Sequence, residues 1–439
     1  MKKEFSKTHL INTIRMVGAS NFWTVAFDVV CVFMYLFSFF WVGGRGINST
    51  MIVVAYMAIY ALIKRDFMSS LLKMLRNRFV WALTGLYVIT NLWVIVCLLV
   101  NKSSDFSFLI TFLHVFFQIA AGVLLYKFLE YRKTKERITD YLMISFTAQT
   151  AIQWLACFIP FIREVIYFTK DAETISKSIS YGGVRAVALS GSNFFGLSAA
   201  YALVALLFWS EKNTLLQKNR ALKLLLYCFM MSGTFFAGRT GFVGVIFAIL
   251  FLGIRYFLDR KTGKRLCLSE GEKKAAKILG IAAAAAVLIG VVLYFTVERF
   301  RTLIIFAFQP LFSLFQSGTL MVSSVANLLS MYIPIPVDAL LFGHGKYDGY
   351  YMGTDVGYLR VVLYMGIIGF ILLFCMQWII IQPNKGEERL MKWVLLLCLL
   401  TLNLKGEVIT WAMIVLGVGL LYCLQDHHCV DDLVVGGQE

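Results

Sequence analysis

Long apolar runs, separated by short polar segments, recur along the whole of this 439-residue chain. A helix needs about 20 apolar residues to cross roughly 30 Å of bilayer hydrocarbon, and somewhat shorter runs cross where the bilayer thins. The pattern therefore predicts an all-α polytopic membrane bundle of about twelve transmembrane helices. We place the crossings at residues 22–42, 48–63, 79–100, 107–126, 140–160, 192–210, 223–238, 240–256, 277–297, 357–381, 390–404 and 407–424.

The positions of the basic residues set the orientation of these helices. Of the 41 Lys and Arg residues, 29 lie in the six segments that the pattern places on one side of the membrane. Because Lys and Arg accumulate in cytoplasmic loops, we expect those segments and both termini to be cytoplasmic. The run Ala221–Phe257 lies between two basic segments and must cross twice. This predicts a hairpin whose external turn, Gly238–Gly241, carries Arg239.

Composition agrees with a membrane protein and excludes a soluble one. Hydrophobic residues make up 59% of the chain and charged residues only 15%, which is too little polar surface for a soluble domain. The basic residues that give the net charge of +16 lie in short clusters between the apolar runs, as in cytoplasmic loops, so we predict no nucleic-acid partner. The nine cysteines show neither zinc-site nor disulfide-scaffold spacing, and His427-His428-Cys429 lacks a fourth metal ligand nearby. The first apolar run lacks a cleavage site, which predicts a retained anchor.

Two external loops interrupt this single domain, which spans residues 1–439. The first is residues 161–191, and the second and longer one is residues 298–356. Within the long loop, Leu303 to Phe315 is almost entirely apolar, and Met321, Val325, Leu328 and Tyr332 recur at helical spacing. We expect helices that lie in the membrane interface above the bundle.

Arg239 is the first candidate functional residue. A guanidinium between two short apolar passes must meet water, an anion or a lipid headgroup, because leaving it unpaired at depth costs at least about 3 kcal/mol. Its planar fork matches phosphate oxygens. The alternative is an arginine that merely reaches the interface from a turn. Asp28, inside the first predicted crossing, is either a helix-contact polar group or part of a polar pathway, as a transporter would need.

The end of the long loop carries the other polar candidates. His344, between two glycines, has an imidazole suited to proton transfer, or it is a loop histidine without a task. Asp355 either accepts a proton from a hydroxyl or caps the following helix. Arg360 either holds an anion or reaches the headgroups. Lys405 and Glu407, at the outer end of the last pair of crossings, would neutralise each other.

Glycines and tyrosines surround these polar residues. Tyr347 and Tyr358 offer flat amphipathic rings on which sugars stack, although interfacial tyrosines look the same in a sequence. The chain contains no Asp-x-Asp pair, no P-loop and no Gly-x-Ser-x-Gly elbow. An external enzyme built from these residues would therefore use a pre-activated, lipid-borne donor, and we expect neither a metal nor a cofactor.

Three segments together resemble the O-antigen polymerase and ligase superfamily, whose members join lipid-linked glycans on the outer side of the bacterial inner membrane. They are Val184-Arg185 with Ser190-Gly191-Ser192-Asn193-Phe194-Phe195-Gly196, Ser232-Gly233-Thr234 with Gly238-Arg239-Thr240-Gly241, and Gly343-His344-Gly345 with Thr354-Asp355-Val356-Gly357-Tyr358 and Gly366-Ile367-Ile368-Gly369.

The resemblance implies a reaction and a set of roles. A sugar hydroxyl of an incoming repeat unit attacks the anomeric carbon of a glycan on polyprenyl pyrophosphate, and pyrophosphate leaves. Arg185 and Arg239 would stabilise the leaving group, and Asp355 or His344 would orient or deprotonate the acceptor. Asn193, Tyr347, Tyr358 and Arg360 would contact substrate. The implied location is the bacterial cytoplasmic membrane, and the implied partners are membrane lipid, a flippase and a chain-length regulator.

Two departures from the family pattern bear on this reading. Gly238 stands where the family more often has a serine, which affects only a hydroxyl contact. Asp355 stands in the region where ligases usually carry a histidine, so His344 does not inherit that role, and a polymerase is favoured over a ligase that transfers the glycan to a lipid core. A lipid-linked oligosaccharide flippase or transporter is the alternative from another functional class.

Overall fold

The computed structural model describes residues 19–75, 77–217, 219–261, 288–317, 323–349, 351–385, 388–408 and 413–425. The predicted N-terminal basic segment, the tail His427-His428-Cys429 and the first part of the crossing 277–297 lie outside these residues. Met321, at the start of the second predicted interfacial helix, lies outside them as well.

The described chain is almost entirely α-helical, as the sequence predicts. In chain order the helices are α1 Ala19–Phe37, α2 Ser49–Ile63, α3 Arg65–Met74, α4 Arg78–Val100, α5 Ser107–Tyr131, α6 Ile138–Phe158, α7 Pro160–Phe168, α8 Ala172–Ser180, α9 Phe195–Leu207, α10 Arg220–Ser232, α11 Thr234–Ala237, α12 Phe242–Lys261, α13 Glu298–Ser317, α14 Ser323–Ser330, α15 Ala339–Phe342, α16 Gly357–Ile381, α17 Arg389–Leu402 and α18 Met413–Leu424. Residues 288–296 are also helical, and Lys135–Arg137, Arg239–Gly241 and Tyr351–Gly353 form short 3₁₀ turns.

A β-hairpin replaces the end of the first predicted crossing. Strands β1 (Phe40–Val42) and β2 (Arg45–Asn48) pair antiparallel, with Phe40 opposite Asn48. Gly43 and Gly44 both have positive φ, which is the backbone that a two-residue hairpin turn requires. The apolar run of 22–42 therefore ends as a helix at Phe37, and its last residues form a strand.

Five described helices are long and apolar enough to cross a membrane, so the predicted count of twelve is not confirmed. They are Arg78–Val100, Ser107–Tyr131, Arg220–Ala237, Arg239–Lys261 and Gly357–Ile381. The pair Lys135–Phe158 and Pro160–Phe168 would make a sixth, but it bends by 117°. Other apolar runs form shorter helices. The 13 residues of α9, for example, span about 20 Å, less than the hydrocarbon thickness.

The α9 helix lies at the centre of the bundle. Twelve of its 13 residues are buried, which explains why its sequence is apolar on every face. Small residues let its neighbours approach closely: a methyl group added at Gly244 of α12 would overlap the backbone of Ala202. Because α9 begins two residues after Asn193, the packing of this helix fixes the end of the loop that carries Arg185 and Asn193.

The α16 helix is broken at Met365 and Gly366, which have non-helical dihedral angles. The carbonyl oxygens freed by the break accept hydrogen bonds from other parts of the protein. Leu363 accepts from the backbone N–H of His344 at 2.6 Å, and Tyr364 accepts from that of Gly345 at 3.0 Å. Met365 accepts from the Trp93 indole at 2.8 Å. The break therefore holds the Gly343–Gly345 loop against the bundle, with no freed carbonyl among these three left unpaired.

The one acidic residue of α1, Asp28, is fully buried and forms an ion pair. Its carboxylate lies 2.8 Å from the Arg132 guanidinium and also accepts from the Thr134 hydroxyl at 2.8 Å. Arg132 in turn packs on the rings of Phe27 and Phe128. The structure therefore places Asp28 in a helix contact with a charged partner.

Candidate functional site

Arg185 and Arg239 converge on one aromatic ring. Phe306 of α13 has its ring centre 5.0 Å from the guanidinium carbon of Arg185 and 5.4 Å from that of Arg239. The two guanidinium carbons are therefore no more than about 10 Å apart, although 54 residues separate them in the chain. The structure brings together the two arginines that the sequence motifs single out. It adds Phe306, which no motif marks.

Three rings and one carbonyl hold Arg185 in place. Its guanidinium carbon lies 4.4, 4.9 and 5.0 Å from the ring centres of Tyr181, Phe194 and Phe306, and Nη2 donates to the carbonyl of Ala237 at 3.1 Å. Burial, with a smaller contribution from the positive charge of Arg239, lowers the pKa of Arg185. A guanidinium keeps its proton even so. Its Nε is buried and has no hydrogen-bond partner among the described residues.

Arg239 follows a turn that α9 positions. Ser198, one turn into α9, donates its hydroxyl to the Gly238 carbonyl at 2.5 Å and accepts from the Gly241 N–H at 2.8 Å. These two bonds fix the residues on either side of Arg239. A methyl group added at Gly238 would lie 3.4 Å from the Ser198 hydroxyl, an ordinary contact. Space therefore does not require the glycine, but its backbone does: φ of +158° and ψ of +154° lie in a region that is essentially confined to glycine.

Lys405 is a third cation beside this turn. Its Nζ donates to the Thr240 hydroxyl at 2.6 Å. Its pKa falls to about 8, chiefly through withdrawal of the amine from water and then through the positive charges of Arg185 and Arg239, while Asp355 opposes the shift. Lys405 as a whole residue stays exposed, although its amine is hydrogen-bonded to Thr240. The sequence predicts that Lys405 and Glu407 neutralise each other, but they have different partners: Lys405 donates to Thr240, and Glu407 accepts from the Tyr347 hydroxyl.

Asp355 lies at the entrance to α16 and pairs with Arg360. One carboxylate oxygen is 3.2 Å from Nη1 of Arg360, and 43% of the Asp355 side chain stays exposed. Burial raises the pKa of Asp355, against the opposing effects of Arg360, Lys405 and Lys177. Arg360 is only 9% exposed, and its Nη2 donates to the Tyr347 carbonyl at 3.0 Å. Arg360 therefore orients Asp355, and its predicted contact with substrate stays a prediction.

The two tyrosines predicted to stack on sugars face protein groups. Tyr347 is 3% exposed, with its ring against Phe108, Tyr364 and the guanidinium of Arg360. Its hydroxyl donates to Glu407 at 2.6 Å. The hydroxyl of Tyr358 donates to the Leu400 carbonyl at 2.5 Å, and its ring packs on Phe370. Helix packing covers the ring of Tyr347, whereas Tyr358 stays partly exposed.

His344 belongs to a neighbouring group. Its Nε2 lies 3.1 Å from a carboxylate oxygen of Asp338, and its Nδ1 lies 2.9 Å from the Tyr351 hydroxyl. No contact within the described part of the chain joins His344 to Arg185, Arg239 or Lys405. The structure therefore places the imidazole in a hydrogen-bonded row with Asp338 and Tyr351, outside the cation cluster.

The side chain of Asn193 is hydrogen-bonded to a buried lysine, Lys170. Its Oδ1 accepts from Nζ of Lys170 at 2.7 Å, and the same amine donates to the Ser190 carbonyl. Burial lowers the pKa of Lys170 to about 7, with Asp171 opposing. Asn193 thus fixes the loop between Arg185 and α9. Only the three-dimensional fold reveals the part played by Lys170, because nothing near it in the sequence marks it.

No protein-family model, curated protein or solved structure matches this chain. The chemistry of the site must therefore be read from its geometry. Among the described residues, no group of three His, Cys, Asp or Glu side chains is placed to hold a metal ion. What the geometry offers is three cations from separate segments around one turn, with a partly exposed carboxylate near Lys405. This arrangement can bind an anion and accept a proton beside it.

Proposed function

We propose that this chain is an integral membrane enzyme that polymerises polyprenyl-pyrophosphate-linked oligosaccharide repeat units into a surface polysaccharide. The reaction is a glycosyl transfer on the outer face of the cytoplasmic membrane. The observation that carries this proposal is the convergence of Arg185, Arg239 and Lys405 around the Gly238–Gly241 turn, close to Asp355.

The cations suit a diphosphate leaving group. As the bond between the anomeric carbon and the phosphate oxygen breaks, negative charge grows on that oxygen. Fixed cations stabilise this charge more strongly than water does, because they are already oriented when the charge develops. Arg185 and Arg239 cannot release their protons, and each guanidinium can bind two phosphate oxygens at once.

Asp355 suits the acceptor side of the same reaction. The acceptor hydroxyl oxygen forms the new bond to the anomeric carbon, and its proton passes to the Asp355 carboxylate. Burial raises the pKa of Asp355, which makes the carboxylate a better proton acceptor, and Arg360 holds it in one orientation. We place the general base here and not at His344, since Lys405 is coupled electrostatically to Asp355.

The position of Arg239 suits a lipid-borne substrate. Arg239 is the first residue of the candidate span Arg239–Lys261, so a phosphate bound there would lie at the end of a membrane helix. The polyprenyl chain of the substrate could then stay among the lipid tails. Exposed apolar side chains on α12, such as Ile246 and Ile249, provide a surface of the required kind beside that chain.

Two observations favour this enzyme over the flippase. Asp28 is paired with Arg132, so it does not supply a free charge to a polar pathway. The break in α16 could have formed an ion site of the kind found in transporters, but the carbonyls of Leu363, Tyr364 and Met365 accept bonds from protein donors. Neither feature is arranged as a translocation route requires.

The test is elongation by the purified, reconstituted protein given a lipid-linked repeat unit. The wild-type chain should convert it into a ladder of longer glycans, and Arg239→Ala should abolish the ladder. The matched control is Arg260→Ala, an exposed arginine about 31 Å along the same span, which should leave it unchanged. Wild-type ladders from folded Arg239→Ala protein would refute the proposal. In cells, a polymerase defect should leave surface lipid capped with one repeat unit, whereas a ligase defect should leave it uncapped.

A further inference from the structure

The loop that carries Lys405 is closed by a hydrogen bond and packed against two helices. The Asn403 side chain accepts from the Val408 N–H at 3.0 Å and closes the loop that carries Lys405. A methyl group added at Gly357 would lie 2.7 Å from the Gly406 carbonyl oxygen, and one added at Gly406 would lie 2.8 Å from the Phe195 ring. The loop is therefore packed between the N-termini of α16 and α9, and it directs the amine to Thr240.

The electrostatics of this amine are unfavourable without an anion. Arg185 and Arg239 both disfavour its charged form, and only Asp355 opposes them. Within the described residues, no carboxylate lies at ion-pair distance from Lys405 or from Arg185. Three cations held together in this way repel one another, at a cost that falls when an anion enters. Clusters that cost stability in this manner are typical of binding sites.

We propose that Lys405 is a third ligand of the anion that Arg185 and Arg239 bind, and that this anion is a diphosphate. Arg185 and Arg239 both pack on Phe306, and Lys405 reaches the same turn at Thr240. A diphosphate presents two charged groups in a row and can contact more of these three cations at once than a single phosphate can. The inference rests on the proposed function for the identity of the natural substrate only.

In this arrangement Lys405 has a second role, which is to position the diphosphate relative to the acceptor. Because the loop that carries Lys405 packs on Gly357, two residues after Asp355, the phosphate that the amine contacts would be the one closer to the acceptor. Lys405 would then fix the distance between the departing phosphate oxygen and the hydroxyl that attacks the sugar. The effect of removing Lys405 should accordingly appear first in the binding of the diphosphate.

The experiment measures binding of inorganic pyrophosphate and of farnesyl pyrophosphate to the purified full chain in detergent by titration calorimetry. Lys405→Met, which keeps the length of the side chain and removes its charge, should weaken binding by about 10- to 100-fold, the usual effect of losing one charged hydrogen bond. Lys405→Arg should stay within a few fold of the wild type. Orthophosphate should bind more weakly than pyrophosphate in the wild type and should lose less on Lys405→Met.

A purely structural role for Lys405 predicts a different result. In that case Lys405→Met and Thr240→Val would both lower the thermal unfolding temperature, while the folded protein would bind pyrophosphate with wild-type affinity, and the proposal would be overturned. Failure of the wild-type chain to bind either diphosphate would overturn it as well. Lys405-dependent diphosphate binding without glycan elongation would support this inference and refute the proposed function, so the two can fail separately.

Discussion

The break in α16 gives the sharpest prediction about how the fold holds the site, and the perturbation is Gly366→Ala. Gly366 has φ of +69° and ψ of −175°, a conformation that is essentially confined to glycine. A methyl group added there would overlap the backbone of Leu341 and lie 2.9 Å from the Phe342 nitrogen. The substitution therefore strains the backbone and separates α16 from the chain that leads into the Gly343–Gly345 loop.

The magnitude follows from these two effects. Backbone strain of this kind costs about 1–3 kcal/mol for a residue with a side chain. Overpacking against a backbone that cannot rotate away adds about 1–3 kcal/mol. We expect a total loss of about 2–6 kcal/mol in the free energy of unfolding, together with weakening of the bonds that His344 and Gly345 donate to α16.

The assay is the midpoint of thermal unfolding in one detergent, compared with Gly253→Ala. Gly253 lies inside α12 with no atom within 4 Å of an added methyl group and with ordinary helical dihedral angles. Alanine should stabilise that helix by up to about 1 kcal/mol. Gly366→Ala should unfold well below the wild type, and Gly253→Ala at or above it. Equal midpoints for all three proteins would refute the account of the helix break.

Two further predictions concern charged groups. Arg132→Met should lower the free energy of unfolding by about 3–5 kcal/mol because it leaves Asp28 buried without a charged partner. Adding Asp28→Asn should restore much of that loss, as measured by chemical unfolding. Losses that simply add in the double variant would contradict this prediction. Pyrophosphate binding should weaken as pH rises through about 8, since Lys405, which faces Arg185, Arg239, Thr240 and Asp355, loses its proton there. Lys405→Arg keeps its charge and should show only the titration of the probe itself, so matching profiles for the two proteins would contradict the assignment.

Helix positions could be predicted from hydrophobic runs, but the number of crossings could not. The predicted crossing 357–381 coincides with α16, and 79–100 differs from α4 by one residue. Hydropathy does not report where a run bends, however. The segment after Phe37 turns into a hairpin because of two glycines with positive φ, and α6 and α7 are separated by a bend of 117°. The break at Gly366 was hidden because glycine and isoleucine continue the apolar run without interruption.

Part of the site could be predicted because one short motif carried each arginine. The predicted topology places Arg185 and Arg239 on the same side of the membrane, and the structure packs both guanidinium groups on Phe306. Lys405 was misread since its partner, Thr240, lies 165 residues away, beyond the reach of local charge pairing. Tyr347 and Arg360 look like substrate-binding residues in the sequence, yet the fold packs each against the other. Distant pairings of this kind leave no local signal.

The most direct measurement of the central claim is an experimental structure of the protein bound to a polyprenyl-pyrophosphate-linked oligosaccharide that lacks the attacking hydroxyl group. The account predicts that the two phosphates lie within hydrogen-bond distance of Arg185, Arg239 and Lys405, with the sugar end directed towards Asp355. A diphosphate bound elsewhere on the bundle, with these three cations still contacting only protein, would contradict it.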